Sequence, residues 1–118
     1  MNTSIFKGAI FDLDGVVTQT AKIHFKAWKK TFDEYLNKLS ERGDNKYSPF
    51  EYEEDYLPYV DGKPRYQGVK SFLESRDINI TFGIPSDSPD KETICGIGNR
   101  KNQLFRQLDD SGNERFLW

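Results

Sequence analysis

Residues 5–20 of this 118-residue chain read IFKGAIFDLDGVVTQT, and this stretch decides the fold that we predict. An apolar run at residues 9–11 ends in two carboxylates one residue apart, Asp12 and Asp14, and Gly15 follows them. This pattern is typical of a buried strand that delivers two acids to the loop at its carboxyl end. In an open α/β sheet, ligands bind in the crevice beyond the carboxyl ends of the strands. The sequence therefore predicts a functional site at Asp12 and Asp14.

Two acids at this spacing can perform different chemical tasks. Side chains alternate along a strand, so Asp12 and Asp14 point the same way while the chain is extended, and Gly15 permits a sharp turn directly after them. One carboxylate could attack a phosphorus atom while the other transfers protons to or from the oxygen that leaves or attacks. Mg²⁺ suits such a pair, because it prefers oxygen ligands and offsets the repulsion between carboxylates and phosphate. The alternative is an Asp-x-Asp-Gly turn that only caps the following helix.

A longer stretch, FDLDGVVTQTAKIHFKAWKKTF at residues 11–32, resembles the opening of a known family. It is similar to the β-phosphoglucomutase-like branch of the haloacid dehalogenase superfamily, whose first motif is an apolar strand followed by Asp-x-Asp-Gly and then Val or Thr. The resemblance implies Asp12 as nucleophile and Asp14 as general acid/base. It further implies Mg²⁺, bound by the Asp12 side chain and the Asp14 main-chain carbonyl, and a phosphorylated sugar as substrate. Gln19 departs from the pattern, because the mutases of this branch usually have an acid at that position.

The residues after this motif predict an amphipathic helix over residues 21–39. Its apolar positions recur at spacings of three and four: Ala21, Phe25, Trp28, Phe32, Tyr35, Leu36 and Leu39. Thr18 or Thr20 is a candidate N-cap, and Gly43 is a candidate C-cap. His24 lies on this helix near the acidic motif. A histidine there can be an ordinary boundary residue of the core, whereas the family resemblance implies that His24 shapes the substrate site.

Further segments complete the predicted pattern of elements. Residues 50–59 predict a short helix that Pro58 stops, and the acids within it predict a solvated surface: Glu51, Glu53, Glu54 and Asp55. A turn-rich stretch at residues 61–66 precedes a second amphipathic helix that ends near Arg76. Residues 78–90 predict a long loop with a short extended piece at residues 79–82. A last helix begins at Asp90 or Thr93, and the acid pair at residues 109–110 predicts its end.

The last helix contains Gly96 and Gly98, which are expected to weaken its first turns. Its segment GIGNRKNQLF, residues 96–105, resembles the last cap helix of the same family, in which the Lys of Arg-Lys-Asn contacts the substrate. The resemblance therefore implies Lys101 as a substrate-binding residue and Asn102 as a further candidate.

Basic residues stand where the second amphipathic helix begins. Arg65 and Lys63 lie there, and the free N–H groups of a helix start add to the attraction for a phosphate. The alternative is a solvated basic loop. Residues 59–78, YVDGKPRYQGVKSFLESRDI, resemble a cap segment of the same family, which favours Arg65 as a substrate-binding residue.

The composition of the whole chain restricts the choice of partners. A net charge of −2 gives no strong electrostatic case for nucleic acid or an anionic membrane. The single cysteine, Cys95, cannot form an internal disulfide. No apolar stretch has the length of a membrane span, and the first residues lack the apolar region of a signal peptide, so we expect a cytoplasmic protein. Aromatic residues make up 14% of the chain, and its packing should depend on them.

These patterns together predict an α/β, haloacid-dehalogenase-like (Rossmann-type) core that is represented only by its first strand, with a mainly α-helical cap. The expected divisions are residues 1–17 for the strand and nucleophile loop, 18–110 for the cap, and 111–118 for the start of the return to the core. The resemblance implies further parts in a complete enzyme: a strand ending in Ser or Thr, a Lys beside the phosphorylated Asp, and later acids for Mg²⁺. None of them follows Lys101.

The sequence therefore predicts an N-terminal fragment of a sugar-phosphate phosphatase or mutase that is inactive alone. The alternative is a non-catalytic binding or regulatory module that keeps the cap. The sequence does not identify the sugar, does not distinguish a mutase from a phosphatase, and does not determine the oligomeric state.

Overall fold

The computed structural model describes residues 19–43 and 47–112. Over these ranges the secondary structure is helical: α1 (Gln19–Glu41), a π-helical segment (Tyr52–Tyr56) that continues into α2 (Leu57–Tyr59), α3 (Arg65–Ser75) and α4 (Ile94–Gly112). The predicted helical character of the cap is confirmed there. The predicted strand at residues 9–11 lies outside the described residues, as do Asp12 and Asp14. Among the described helices, none combines the length and the apolar character needed to cross a membrane.

Helix α1 is longer than the sequence predicted. It already includes Thr20, so the prediction of Thr20 as an N-cap is wrong, and Thr18 lies outside the described residues. At the other end, the Arg42 N–H donates to the carbonyls of Lys38 and Leu39, at 3.3 and 3.1 Å. Gly43 then takes a φ of +97°, a left-handed conformation that costs glycine little. The predicted end of the helix at Gly43 is therefore confirmed.

The core between the helices is built largely from aromatic rings, as the composition predicted. Phe32 of α1 lies at its centre, with its ring centroid 4.4 Å from that of Phe72 on α3 and 4.9 Å from that of Phe50. Phe50 and Phe72 meet edge to face at 4.9 Å, a favourable geometry for aromatic pairs. The buried cluster consists of Trp28, Phe32, Tyr35, Leu36, Phe50, Val60, Val69, Phe72, Leu73, Ile78, Ile94 and Ile97.

The short helix predicted over residues 50–59 occupies residues 52–59 in two parts, and one of its acids is not where the sequence predicted. Pro58 lies one residue before α2 ends at Tyr59, so the helix stops close to the proline, as predicted. Asp55 is 6% exposed, accepts the Glu51 N–H at 2.8 Å and pairs with Arg76 at 3.1 Å. The prediction that Asp55 lies on a solvated surface is therefore wrong, because its partner Arg76 reaches it from the far end of α3.

Helix α4 begins at the second of the two predicted positions. Thr93 precedes it, and the Thr93 hydroxyl accepts the Gly96 N–H at 2.9 Å, as an N-cap does. The N–H groups of Ile94 and Cys95 donate to carbonyls of the preceding loop, at Thr81 and Phe82, both at 2.9 Å. Residues 79–82 carry no strand in the described structure.

The other end of α4 differs from the prediction. The helix continues through the acid pair at residues 109–110 to Gly112, so the prediction that these acids end it is wrong. Asp disfavours a helix only slightly, and glycine more strongly, which fits an end at Gly112.

The two glycines near the start of α4 allow close packing. A Cβ at Gly98 would lie 2.8 Å from Cδ1 of the Tyr66 ring, and one at Gly96 would collide with the Lys91 carbonyl. Helix propensity alone predicted a weak first turn. The structure shows instead that α3 and the preceding loop approach α4 at these two positions.

Candidate functional site

Helices α1 and α4 bring His24 and Lys101 together, although 77 residues separate them in the chain. The Lys101 Nζ lies 2.7 Å from His24 Nδ1. Lys101 is only 5% exposed. Its Nζ lies 5.1 Å from the centroid of the Trp28 ring and 5.0 Å from that of Phe105, within the range of cation–π attraction. His24 also stacks on Phe105, with ring centroids 4.2 Å apart.

The electrostatics of this pair fix the direction of its hydrogen bond. Burial lowers the pKa of Lys101 to about 8, and the charge of Arg65 acts in the same direction. Burial also lowers the pKa of His24, as does Lys101, while Asp109 opposes the change. At neutral pH the lysine is therefore charged and the histidine neutral. The ammonium donates to His24 Nδ1, which leaves the ring proton on Nε2.

Arg65 provides a second cation beside this pair. It is the first residue of α3, and its side chain lies over α4 at Gly98, where a Cβ would be 3.2 Å from Arg65 Cγ. The Arg65 Nε is buried and has no hydrogen-bond partner in the described part of the chain. Among the ion pairs found within residues 19–43 and 47–108, none involves Arg65 or Lys101. Two cations that have no carboxylate partner within these ranges can attract an anionic group, and phosphate oxygens suit both.

The remaining predicted site residues lie outside this cluster. Asn102 follows Lys101 and is half-buried, and no hydrogen bond joins it to the other three residues in the described structure. Lys63 is exposed in the turn before α3. The structure thus brings together His24, Arg65 and Lys101. Their predicted role in substrate binding stays a prediction, as do the roles of Asp12 and Asp14.

The aromatic walls of the cluster were missed as site residues. Trp28 was assigned only to the apolar face of α1, and Phe105 was noted only as the end of the segment GIGNRKNQLF. Each follows a predicted site residue by four positions, His24 and Lys101 respectively, and side chains four apart are neighbours on a helix. The four-residue spacing could therefore have identified Trp28 and Phe105 as neighbours of the site residues.

The metal predicted from the resemblance cannot be placed in the described residues. No group of three or more His, Cys, Asp or Glu side chains that could hold a metal ion occurs among them. The predicted ligands, the Asp12 carboxylate and the Asp14 carbonyl, lie outside these ranges. Both supply oxygen donors, which fits Mg²⁺ chemically.

A cleft of about 650 Å³ lies at the other end of the α1–α4 pair, beside residues 88–92. It contains none of the predicted site residues. Two of its acids already have partners: Glu92 accepts from Tyr35 and Arg42, and Glu34 pairs with Arg100. We therefore assign the candidate site to the His24–Lys101–Arg65 cluster, on the basis of its chemistry.

Known proteins resemble the chain over almost its whole length. Two β-phosphoglucomutases, from Mycobacterium bovis and Mycobacterium tuberculosis, are each 48% identical to it over 118 aligned residues, which cover 94% of this chain and 45% of the relative. An uncharacterised glycosyl hydrolase of Mycobacterium tuberculosis is 36% identical over 103 residues, 87% of this chain and 8% of that protein. No family model matches. The chain spans about half the length of the β-phosphoglucomutases, and the 48% identity confirms its resemblance to the β-phosphoglucomutase-like branch of the haloacid dehalogenase superfamily.

Proposed function

We propose that this chain supplies the nucleophile loop and the substrate-binding cap of a Mg²⁺-dependent phosphotransferase that acts on a phosphorylated sugar. The observation that carries this proposal is the convergence of Arg65, Lys101 and His24 from three separate parts of the sequence. Two cations without a carboxylate partner in the described residues form a natural receptor for a phosphate group. The names of the 48% identical relatives support a sugar phosphate as the substrate class.

In the proposed reaction Asp12 is the nucleophile. A carboxylate oxygen of Asp12 forms a bond to phosphorus as the bond from phosphorus to the leaving sugar oxygen breaks, and Asp14 gives that oxygen its proton. Asp14 then removes a proton from the hydroxyl, of water or of a sugar, that attacks the aspartyl phosphate. A bound Mg²⁺ supplies charge neutralisation at the phosphoryl group. Water as acceptor gives a phosphatase, and a sugar hydroxyl gives a mutase.

The cap residues bind the part of the substrate that does not react. Arg65 can form paired hydrogen bonds to a phosphate, and Lys101 contributes a charge that its aromatic walls and His24 hold in place. Asn102 is a further candidate for contacts with sugar hydroxyls. Binding energy from such remote groups can be used to orient the reacting phosphate.

The test takes the complete gene product and compares it with the Asp12→Asn variant. We expect the parent protein to acquire covalent phosphate from a phosphorylated sugar and the variant to acquire none, because a neutral amide is a poor nucleophile. Asp90→Asn, which changes an exposed acid of the loop before α4, is the matched control and should retain the phosphoenzyme. Covalent phosphate in Asp12→Asn would overturn the assignment of the nucleophile.

The cap is tested with two substrates in the same protein. Arg65→Ala and Lys101→Ala should weaken the use of glucose 6-phosphate but leave hydrolysis of p-nitrophenyl phosphate nearly unchanged, because remote binding is lost rather than chemistry. Lys70→Ala, at an exposed lysine of α3, is the control. An equal loss on both substrates would contradict the assignment of these residues to the cap site. Sugar-phosphate binding without any turnover in the parent protein would favour a non-catalytic binding module.

A further inference from the structure

Arg65 is joined to α4 by a short chain of hydrogen bonds. Its Nη2 donates to the Tyr66 hydroxyl oxygen at 3.4 Å, and that hydroxyl donates to Asn99 Oδ1 at 2.8 Å. We propose that Tyr66 and Asn99 are positioning residues, which hold the Arg65 guanidinium beside Lys101 so that it can receive the phosphate group of a phosphorylated sugar. This inference rests on the proposed function and assigns a role to two residues that the proposed reaction does not touch.

The orientation of the Asn99 amide follows from its other contacts. Asn99 Nδ2 donates to the carbonyls of Pro85 and Asp87, both at 3.0 Å. A carbonyl can only accept, so the amide nitrogen must face these two groups and Oδ1 must face Tyr66. The Tyr66 hydroxyl therefore donates its single proton to Asn99. Its lone pairs then remain available to accept from Arg65, which makes the direction of the whole chain unambiguous.

The loop that holds Asn99 is itself fixed. The Asp87 Oδ2 accepts the Thr93 hydroxyl at 2.7 Å and the Ile84 N–H at 3.1 Å. Asp87 is 8% exposed, so these bonds are shielded from competing water. Asn99 therefore contacts a loop whose shape does not depend on Arg65.

Besides the hydrogen bond to Tyr66, aromatic packing restricts the position of the Arg65 side chain. Its guanidinium carbon lies 5.0 Å from the centroid of the Tyr66 ring, and Phe82 meets the same ring edge to face at 6.2 Å. The absence of a side chain at Gly98 leaves the space into which Tyr66 and Arg65 fit. A methyl group at Gly98 would displace both.

Such positioning matters because a free arginine side chain loses rotamer entropy when a ligand fixes it. A side chain that is already held loses less, and the saving appears as affinity. The Arg65 guanidinium also retains unused donors, since Nε has no partner within the described residues. Arg65 can therefore be fixed by Tyr66 and still bind an anion.

The decisive experiment is a double-mutant cycle on the complete gene product, with the affinity for glucose 6-phosphate measured by calorimetry. Tyr66→Phe keeps the ring and removes the hydroxyl, and we expect about three- to tenfold weaker binding, the usual contribution of one hydrogen bond. Arg65→Ala should weaken binding further. Because Tyr66 acts through Arg65, adding Tyr66→Phe to Arg65→Ala should cause no additional loss.

Two matched controls separate positioning from general damage to the fold. Tyr59→Phe removes the hydroxyl of another half-buried tyrosine and should leave the affinity unchanged. Gly98→Ala should weaken binding in the same way as Tyr66→Phe. Gly68→Ala should not weaken binding. The nearest atoms to its added Cβ belong to Val60, directly after α2, with Cγ1 at 3.2 Å.

The possible outcomes distinguish this inference from the proposed function. If the parent protein binds neither glucose 6-phosphate nor any other phosphorylated sugar tested, the proposed function fails and this inference fails with it. If Arg65→Ala weakens binding while Tyr66→Phe does not, or if the two losses are additive, the positioning role is wrong and the proposed function stands. A loss in Tyr66→Phe that vanishes in the Arg65→Ala background supports the positioning role.

Discussion

Lys101 gives the candidate site a pH dependence that can be measured directly. Its pKa of about 8 means that it loses its charge as the pH rises through that value. The second pKa of a phosphate ester is near 6, so the ligand stays dianionic between about pH 7 and 9.5. We therefore expect the affinity for glucose 6-phosphate to fall over this range, and Lys101→Arg to keep its affinity, because arginine remains charged. Equal affinity at both ends of the range in the parent protein would contradict the role of Lys101.

The same lysine should make the free energy of unfolding rise with pH, whereas the affinity for the ligand falls. Its pKa is lowered from an ordinary value of 10.5, so above about pH 8 the unfolded chain binds more protons than the folded one. The contribution of Lys101 to stability then rises with pH between about pH 8 and 10, and the raised pKa of the buried Cys95 thiol acts against it near the upper end of this range. Above that, Tyr56 reverses the slope, because burial and Asp61 raise its pKa to about 12 while an unfolded tyrosine loses its proton near 10. Urea midpoints of the parent and of Lys101→Met test this prediction, since the rise should be absent in the variant.

The sequence predicted the principal residues of the cluster but not their surroundings. His24, Arg65 and Lys101 could be identified because they stand at positions of a family motif. Tyr66 and Asn99 could not, since a hydrogen bond between residues 33 positions apart has no signal in a single sequence. The same limit applies to Asp55. A single sequence does not show that Arg76 reaches it, so the prediction placed Asp55 on the solvated surface.

At the scale of elements, Arg76 at the end of α3 hydrogen-bonds to the segment before α2 and so holds the two together. Its Nη1 donates to the Ser48 carbonyl at 2.9 Å, and Nη2 donates to the Pro49 carbonyl at 3.2 Å and to Asp55 at 3.1 Å. Arg76→Ala would leave the Asp55 carboxylate buried without its cation. We expect a loss of about 2–4 kcal/mol in the free energy of unfolding, measured by urea titration.

The control for this prediction is an ion pair on the surface of the same helix. Lys70 and Glu74 pair at 2.6 Å, but both side chains are about half exposed, at 46% and 52%. Lys70→Ala should therefore cost less than about 0.5 kcal/mol. Similar losses in the two variants would show that the Arg76 contacts do not hold the segment.

The helices themselves were predictable because their apolar residues recur with helical spacing. This signal located α1, α3 and α4, and the N-cap at Thr93 follows from the preference of helix starts for threonine. Their exact ends were harder to predict. The acid pair at residues 109–110 predicted a helix end, yet α4 continues to Gly112, because each Asp costs a helix only a few tenths of a kcal/mol.

At the scale of the whole molecule, the described helices have a core of their own. Phe32, Phe50 and Phe72 are fully buried against one another, and α1, α3 and α4 each contribute to the same cluster. A packed core of this kind predicts amide protection in α1, α3 and α4 even when only the 118-residue chain is present. Exchange rates near those of an unstructured peptide in these helices would show that the cap depends on the rest of a longer protein.

Catalysis should behave differently from folding in the same 118-residue chain. A strand ending in Ser or Thr, a Lys beside the aspartyl phosphate and later acids for Mg²⁺ are the parts that the family resemblance implies, and none was identified after Lys101. Electrostatic stabilisation of the transferring phosphoryl group is usually the largest catalytic contribution, so a chain without these groups should bind a sugar phosphate but not turn it over. We expect the Mg²⁺-dependent phosphatase rate of the chain to equal that of its Asp12→Asn variant. A rate clearly above that of the variant would show that the chain carries a complete catalytic site, because only chemistry at Asp12 separates the two proteins.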